Sequence, residues 1–298
     1  MNISNIKLVI LAAAATLLCS SCIREELPPC PPLQVDVVVK DKNYFNAAAT
    51  DGIEPVRPEN LPFREYVSTV YYRLDDAETG EMVLEQTNTV VAGDADTYAI
   101  TFPESLPFGR YILTVWGNMQ SPRPLVDDAL YTEVTQYHAA ENDIYTTVDT
   151  LDYDVYDARF TAELERAKGK LIVMAENMPE DVDFSTKDID AIYQYIGRGL
   201  RYGGETEFHT DTLWDRTVDF ATGMLLCPST GHDATTLDVN FYRTAAGAQQ
   251  QPLEPEDINI TMSRNEVTIV RYVYYDGKFT IYVFVDDRWE KMHEMEIE

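Results

Sequence analysis

The sequence predicts an all-β protein built as two tandem β-sandwiches. Three observations carry this. Short runs of alternating apolar and polar residues succeed one another along most of the chain, as half-buried strands require. Gly, Pro, Asp and Asn cluster between the runs, where tight turns need them. No window shows a sustained helical period, and many short strands with regular turns suit sandwiches.

The elements follow in order. Leu27-Pro28-Pro29-Cys30-Pro31-Pro32 is a stiff spacer, because its prolines favour polyproline II and forbid helix. Residues 33–40 form the first strand, alternating at Leu33, Val35 and Val37. Residues 66–74 are β-branched and aromatic, 75–80 form a turn, and 81–86 return as a hairpin. Residues 97–102 alternate. Leu106-Pro107-Phe108-Gly109 makes a tight turn, and 110–118 is a strong strand ending in Gly117-Asn118. Residues 119–157 are looser, with a short helix expected near 124–138. Strands resume at 158–164, 170–175, 189–196, 217–226, 236–242, 258–262, 266–275 and 278–285. Asp276-Gly277 between the last two fits a type I′ turn, or a type I turn with a bulge. The expected organisation is a signal segment 1–21, a spacer 22–32, a first sandwich 33–155 and a second 156–298.

The chain has 298 residues, 51 acidic and 23 basic, with net charge −28. That excess repels phosphate backbones and anionic headgroups, which argues against nucleic-acid binding and electrostatic membrane docking. With 45% hydrophobic residues the chain can still bury a core, so it is not a disordered acidic tail. After the N-terminus there is no second long apolar run.

The N-terminus reads as a secretory signal. Lys7 is followed by an apolar stretch from Leu8 to Leu18, then Cys19-Ser20-Ser21-Cys22. Small residues before a Cys fit lipoprotein processing, in which Cys22 takes the lipid and becomes the new N-terminus. The alternative is ordinary secretion with Cys22 as a free thiol or disulfide partner. Several acyl chains on one residue hold a protein firmly, whereas one is marginal. Cys30 and Cys227 remain as a candidate disulfide in an oxidising compartment. Two Cys so far apart, with no CxxC, are not a zinc motif.

Four segments carry a resemblance to a known family. They are Cys22-Ile23-Arg24-Glu25-Glu26 through Cys30-Pro31; Tyr71-Tyr72-Arg73-Leu74-Asp75; Leu106-Pro107-Phe108-Gly109-Arg110-Tyr111 with Trp116-Gly117-Asn118; and the run from Gly277 to Val283 with Trp289. In order and spacing the chain resembles the FimB-type fimbrial anchor lipoproteins of Bacteroidetes, whose pili grow by strand donation. Glu25-Glu26 behind the Cys also resembles the surface-export signal of lipoproteins in that phylum. The resemblance implies two sandwiches of transthyretin-like topology and a lipid anchor on Cys22 in the outer membrane. It implies a structural role in a cell-surface fimbrium with other fimbrial subunits as partners, and neither catalysis nor a cofactor. It leaves open the base or the tip of the pilus, and a host or bacterial surface ligand. In related stalk subunits an Arg-specific protease removes the first strand. Here the candidates are Arg57, which precedes Pro58 and is a poor substrate, and Arg64, which precedes Glu65.

No constellation argues for an enzyme. His138, His209, His232 and His293 form no HExxH, and there is no GxSxG, P-loop or GxGxxG. Asp181, Asp183, Asp188 and Asp190 do not complete a calcium loop, so no metal site is expected. Tyr193, Tyr195, Tyr202, Trp214 and Trp289 are candidates for a sugar-stacking platform. They carry the competing reading, a surface glycan-binding lipoprotein.

Overall fold

A computed structural model describes residues 31–120, 131–133, 142–214, 220–243, 252–285 and 287–296. Among them the only helical elements are two short 3-10 turns, Ala47–Ala49 and Phe63–Glu65.

The first half holds β1 (Gln34–Val39), β2 (Thr69–Asp76), β3 (Met82–Val90), β4 (Tyr98–Thr101), β5 (Gly109–Gly117), β7 (Tyr145–Tyr153) and β8 (Arg159–Arg166). Their order is β3-β2-β5-β7-β8-β1-β4. Strands β7 and β8 pair only at Tyr145↔Arg166 and Thr146↔Glu165, so two leaves meet at that corner. Between the leaves lies one core, with Val35 and Val37 from β1, Val70 and Leu74 from β2, Leu113 and Val115 from β5, and Ala162 and Leu164 from β8. These positions alternate along each strand, which puts every second side chain inside.

The second half holds β9 (Gly169–Glu176), β10 (Phe184–Ile192), β13 (Thr206–Leu213), β14 (Phe220–Leu226), β15 (Thr235–Tyr242), β16 (Ile258–Ile260), β17 (Val267–Tyr275), β18 (Lys278–Val285) and β19 (Arg288–Glu296). One sheet runs β14-β9-β17-β18-β19 and the other β13-β10-β15-β16. A third, small sheet joins β12 (Arg201–Gly203), β11 (Tyr195–Gly197) and β6 (Tyr131–Glu133). In each half the first strand pairs in parallel with a later one, β1 with β8 and β9 with β17. The remaining pairs are antiparallel. The β17–β18 turn has positive φ at both Asp276 and Gly277, which selects type I′ between the two expected alternatives.

Three expectations change. Residues 145–153, placed in the loose region, form the nine-residue strand β7 in full register with β5. Asp149 and Asp152 hide the pattern, because Asp is commoner in turns than in strands. Strand β8, placed beyond the 155/156 boundary, pairs through Arg159 to Leu164 with the whole of β1, so the chain passes to the other sheets at Ala167-Lys168. Within the expected helix near 124–138, Tyr131–Glu133 is a strand paired with β11; the rest of that stretch lies outside the described residues.

Candidate functional site

The site centres on β1 and the chain that follows it. Strand β1 is held on both sides, antiparallel to β4 and parallel to β8. Leu33, Val35, Val37 and Val39 all point into the first core. Residues 41–57 then leave the first sandwich as a strap and lie on the outer face of the second. Asn43 closes the strap into a loop by taking the Arg57 N–H at 2.8 Å and donating to the Arg57 carbonyl at 3.1 Å. Asn46 pairs with Val267 as a strand would, donating to its carbonyl at 2.8 Å and accepting its N–H at 2.9 Å. Glu54 binds Lys170 at 2.5 Å. Tyr44 and Ala47 pack with Ile172, Val267, Ile269 and Phe284 in a small apolar cluster of their own.

Beneath the strap lies a buried cation. Arg166, 2% exposed, donates from Nε to both Asp143 carboxylate oxygens at 2.9 and 3.0 Å. It also donates to the Tyr145 hydroxyl at 2.6 Å and to Asn265 Oδ1 at 2.5 Å. Its guanidinium lies 4.1 Å from the Tyr44 ring centroid. Asp41 accepts the Arg166 backbone N–H at 2.9 Å and pairs with Arg264 at 3.1 Å. Residues from both halves and from the strap thus close one polar knot. Burial pushes the Tyr44 and Tyr145 hydroxyls well above their usual range, so both stay protonated.

A second contact runs the other way. The β11–β12 hairpin reaches the first sandwich, where Arg198 binds Asp75 at 2.8 Å beside Arg73 at 2.6 Å. Tyr71 and Trp116 of the first sandwich belong to the second core. Gly117 gives Val67 room, since a Cβ there would stand 2.8 Å from Val67 Cγ1. Asn118, at φ 60°, accepts the Ser68 N–H and donates to the Tyr66 and Asp143 carbonyls, each at 2.8 Å. From the Tyr-Tyr-Arg-Leu-Asp and Trp-Gly-Asn segments, Tyr71, Asp75 and Trp116 thus reach the second half, while Gly117 and Asn118 brace the first.

Of the residues expected from the sequence, Arg64 is exposed on the 3-10 turn before β2 and pairs with Asp94 at 2.8 Å. Arg57 is engaged instead, with its guanidinium 4.6 Å from the Tyr66 ring centroid and donating to the Glu65 carbonyl at 2.6 Å. Cys22 and Cys30 lie outside the described residues. Cys227 is a free, buried thiol, pushed up to about 11 by burial. Pro31, next to Cys30, is held by the Tyr153 hydroxyl at 2.9 Å, at the end of β1 remote from the junction. Residues 279–285 form an inner strand, and β19 next to it is one of the two edge strands of that sheet.

The stacking candidates do not form a platform. Tyr193 and Tyr202 stack on each other at 5.6 Å, Trp214 is buried, and Trp289 is covered by Arg271 at 4.0 Å. Among the described residues no group of three or more His, Cys, Asp or Glu could hold a metal ion. The junction residues Asp41, Asp143, Arg166, Arg198 and Asn265 were not singled out from the sequence. Asp75, Tyr71 and Trp116 did fall within segments that carry the resemblance.

One further buried cation gives a pH prediction. Lys187 is fully buried, with Thr212 Oγ1 at 2.9 Å and the Trp214 ring centroid at 5.4 Å, and burial lowers it to about 8. Its unfolded value is near 10.5. Between the two, the unfolded chain binds more protons, so this residue's destabilising effect fades as pH rises from 8 to 10.5. Lys187→Met should stabilise the protein by about 2 kcal/mol at pH 7, and less at pH 10. Urea titrations of both proteins at the two pH values measure this; an equal difference at each pH would exclude it.

No family model and no curated protein sequence matches this chain. Solved structures do. A protein from Bacteroides ovatus proposed to be an adhesin superposes with TM-score 0.57 at 13% identity, over 92% of this chain and 98% of that one. A Bacteroides thetaiotaomicron protein proposed to bind polysaccharide gives 0.56 at 10% identity, over 88% and 98%. The C-terminally truncated tip fimbrial protein Mfa3 of Porphyromonas gingivalis gives 0.50 at 11% identity, over 88% and 99%. At these identities the likeness establishes a shared fold over nearly the whole of each chain.

Proposed function

We propose that this chain is a structural subunit of a cell-surface fimbrium, anchored in the outer membrane by lipid on Cys22 and joined to other subunits by β-strand addition. The observation that carries this is the setting of β1. It is an apolar strand at the N-terminal end of the described chain, inserted between β4 and β8, so its departure would leave a groove lined by alternate pockets. A partner strand would gain backbone hydrogen bonds for affinity and pockets for specificity. The exposed Arg64 follows β1 and the strap and precedes β2, so a cut there frees everything before the second strand. The edge strand β19 is the segment best placed for donation to a neighbour. The shared fold with fimbrial and adhesin-type proteins supports the reading, as does the lipoprotein-like N-terminus.

An anchor must keep β1, since cutting at Arg64 would separate the body from its lipid; a tip or stalk subunit must lose it. We favour the anchor role. N-terminal sequencing of this protein from purified fimbriae tests it. A chain beginning at acylated Cys22 is expected, and Cys22→Ala should release it from the membrane fraction. A chain beginning at Glu65 would exclude the anchor. Absence of the protein from fimbriae would overturn the whole reading. Of the aromatics named for the glycan-binding alternative, Tyr193 and Tyr202 stack on each other, Trp214 is buried and Trp289 is covered by Arg271.

A further inference from the structure

Strand β1 and the strap are continuous in sequence but bind different halves of the molecule. Strand β1 fills the first sandwich, and the strap covers the second. On the strap side the contacts are specific. Asn46 supplies two strand-like hydrogen bonds to Val267, and the Phe45 N–H donates to the Asn265 carbonyl at 2.9 Å. Glu54 pairs with Lys170, and Tyr44 and Ala47 seal Ile172, Ile269 and Phe284 from solvent. The Thr50 hydroxyl holds the strap's own turn, donating to the Ala47 carbonyl at 2.8 Å and accepting the Glu54 N–H at 3.0 Å. The strap is therefore a folded clip that docks as a unit.

We infer that β1 and the strap form one release unit, so that withdrawing β1 from the first sandwich also uncovers an apolar face on the second and opens the junction between the halves. This rests on the proposed assembly by strand addition and applies to a chain that gives up β1, as a tip or stalk subunit does; in an anchor, which keeps β1, the face stays covered. The occupant of the uncovered face in the intact chain is the 44–53 segment itself. After its release the sheet β14-β9-β17-β18-β19 presents Ile172, Val267, Ile269 and Phe284 to solvent, and Arg166 loses both the Tyr44 ring and the Asp41 carboxylate. The Arg198–Asp75 contact involves neither β1 nor the strap and remains, so the halves loosen on one side without separating.

The test separates the strap from the strand. A recognition sequence for a site-specific protease is inserted at the exposed Asn60 of the soluble full chain and cut, in the parent and in an Asn46→Ala, Glu54→Gln double variant. Hydrogen exchange is followed at Val267 to Ile269 and at β4 and β8, together with the rate at which the N-terminal fragment leaves. The double variant is expected to exchange faster at Val267 to Ile269, with β4 and β8 unchanged while the fragment is bound. Its fragment is expected to leave about tenfold faster, as loss of roughly 1.4 kcal/mol would give. Equal fragment release in the two proteins, or exchange at Val267 to Ile269 that stays slow after the fragment has left, would overturn the inference. A fragment that leaves neither protein counts against β1 as the exchangeable strand. Exchange at Val267 to Ile269 in the bound, cut double variant then decides the strap by itself: faster exchange supports it as the cover, and unchanged exchange overturns it.

Discussion

Arg166→Leu should destabilise the protein by about 3–5 kcal/mol, the usual cost of removing one partner from a buried charge network. The side chain is 2% exposed, so water cannot take over the groups it leaves. Asp143 loses a two-oxygen contact at 2.9 and 3.0 Å, and the Tyr145 hydroxyl and Asn265 lose a donor. Asp41 keeps the Arg166 backbone N–H and the Arg264 guanidinium, so the damage centres on Asp143. Adding Asp143→Leu to Arg166→Leu should recover part of the loss, because it removes a carboxylate left with only the Tyr145 hydroxyl at 3.1 Å in place of its cation. Arg166→Lys should fall between, since an ammonium keeps the charge but lacks the planar fork. Calorimetry checks a second consequence. The parent should unfold in one transition because strap, first sandwich and second sandwich meet at this residue. The Leu variant should show two. A single unshifted transition would show that the halves are joined elsewhere.

The sheet-forming pattern was legible because it depends on neighbours in sequence. Alternation at Leu33, Val35 and Val37 named the buried face of β1, and Asp276-Gly277 named the β17–β18 turn. The pairing of β1 with β8 was not legible. It joins residues about 125 apart, Gln34 with Arg159, and no local signal encodes a parallel partner. The expected first sandwich, ending at 155, therefore stops short of this partner strand. Strand β7 was missed for a different reason. Its sequence Tyr-Thr-Thr-Val-Asp-Thr-Leu-Asp-Tyr is interrupted by two Asp, and its register is fixed by pairing with β5 along its full length. The junction was half legible. Tyr71, Asp75, Trp116, Gly117 and Asn118 stood within segments that marked a resemblance, though read alone they were strand ends and turns. Their actual partners, Arg198, Asp143 and the second core, lie elsewhere in the chain. Arg166 looked like any surface arginine at a strand end, since burial is not written in a single charged residue.

Gly169→Ala is expected to cost about 3 kcal/mol or more, at or above the upper end for overpacking. Gly169 opens β9 at the point where the chain crosses from the first sandwich to the second. A Cβ there would stand 2.1 Å from the Ser263 carbonyl oxygen and 3.2 Å from that of Glu266. Both obstacles are backbone. Next to them the Lys170 N–H donates to the Glu266 carbonyl and the Asn265 N–H to the Lys168 carbonyl, each at 2.9 Å, so moving the 263–266 loop breaks bonds that fix the start of β17 and the position of Asn265 beside Arg166. Gly117 offers the control. There the added Cβ meets the Val67 side chain at 2.8 Å, which a second substitution can shorten. Gly117→Ala should therefore be rescued in good part by Val67→Ala, less the cost of the methyl groups removed. Gly169→Ala should not be rescued by Ser263→Ala, because that change leaves the carbonyl where it is. Chemical denaturation of the two single and two double variants reads the difference directly. Rescue at Gly169 by Ser263→Ala would mean that the 263–266 backbone yields, and that the crossing between the sandwiches is held less tightly than its hydrogen bonds imply.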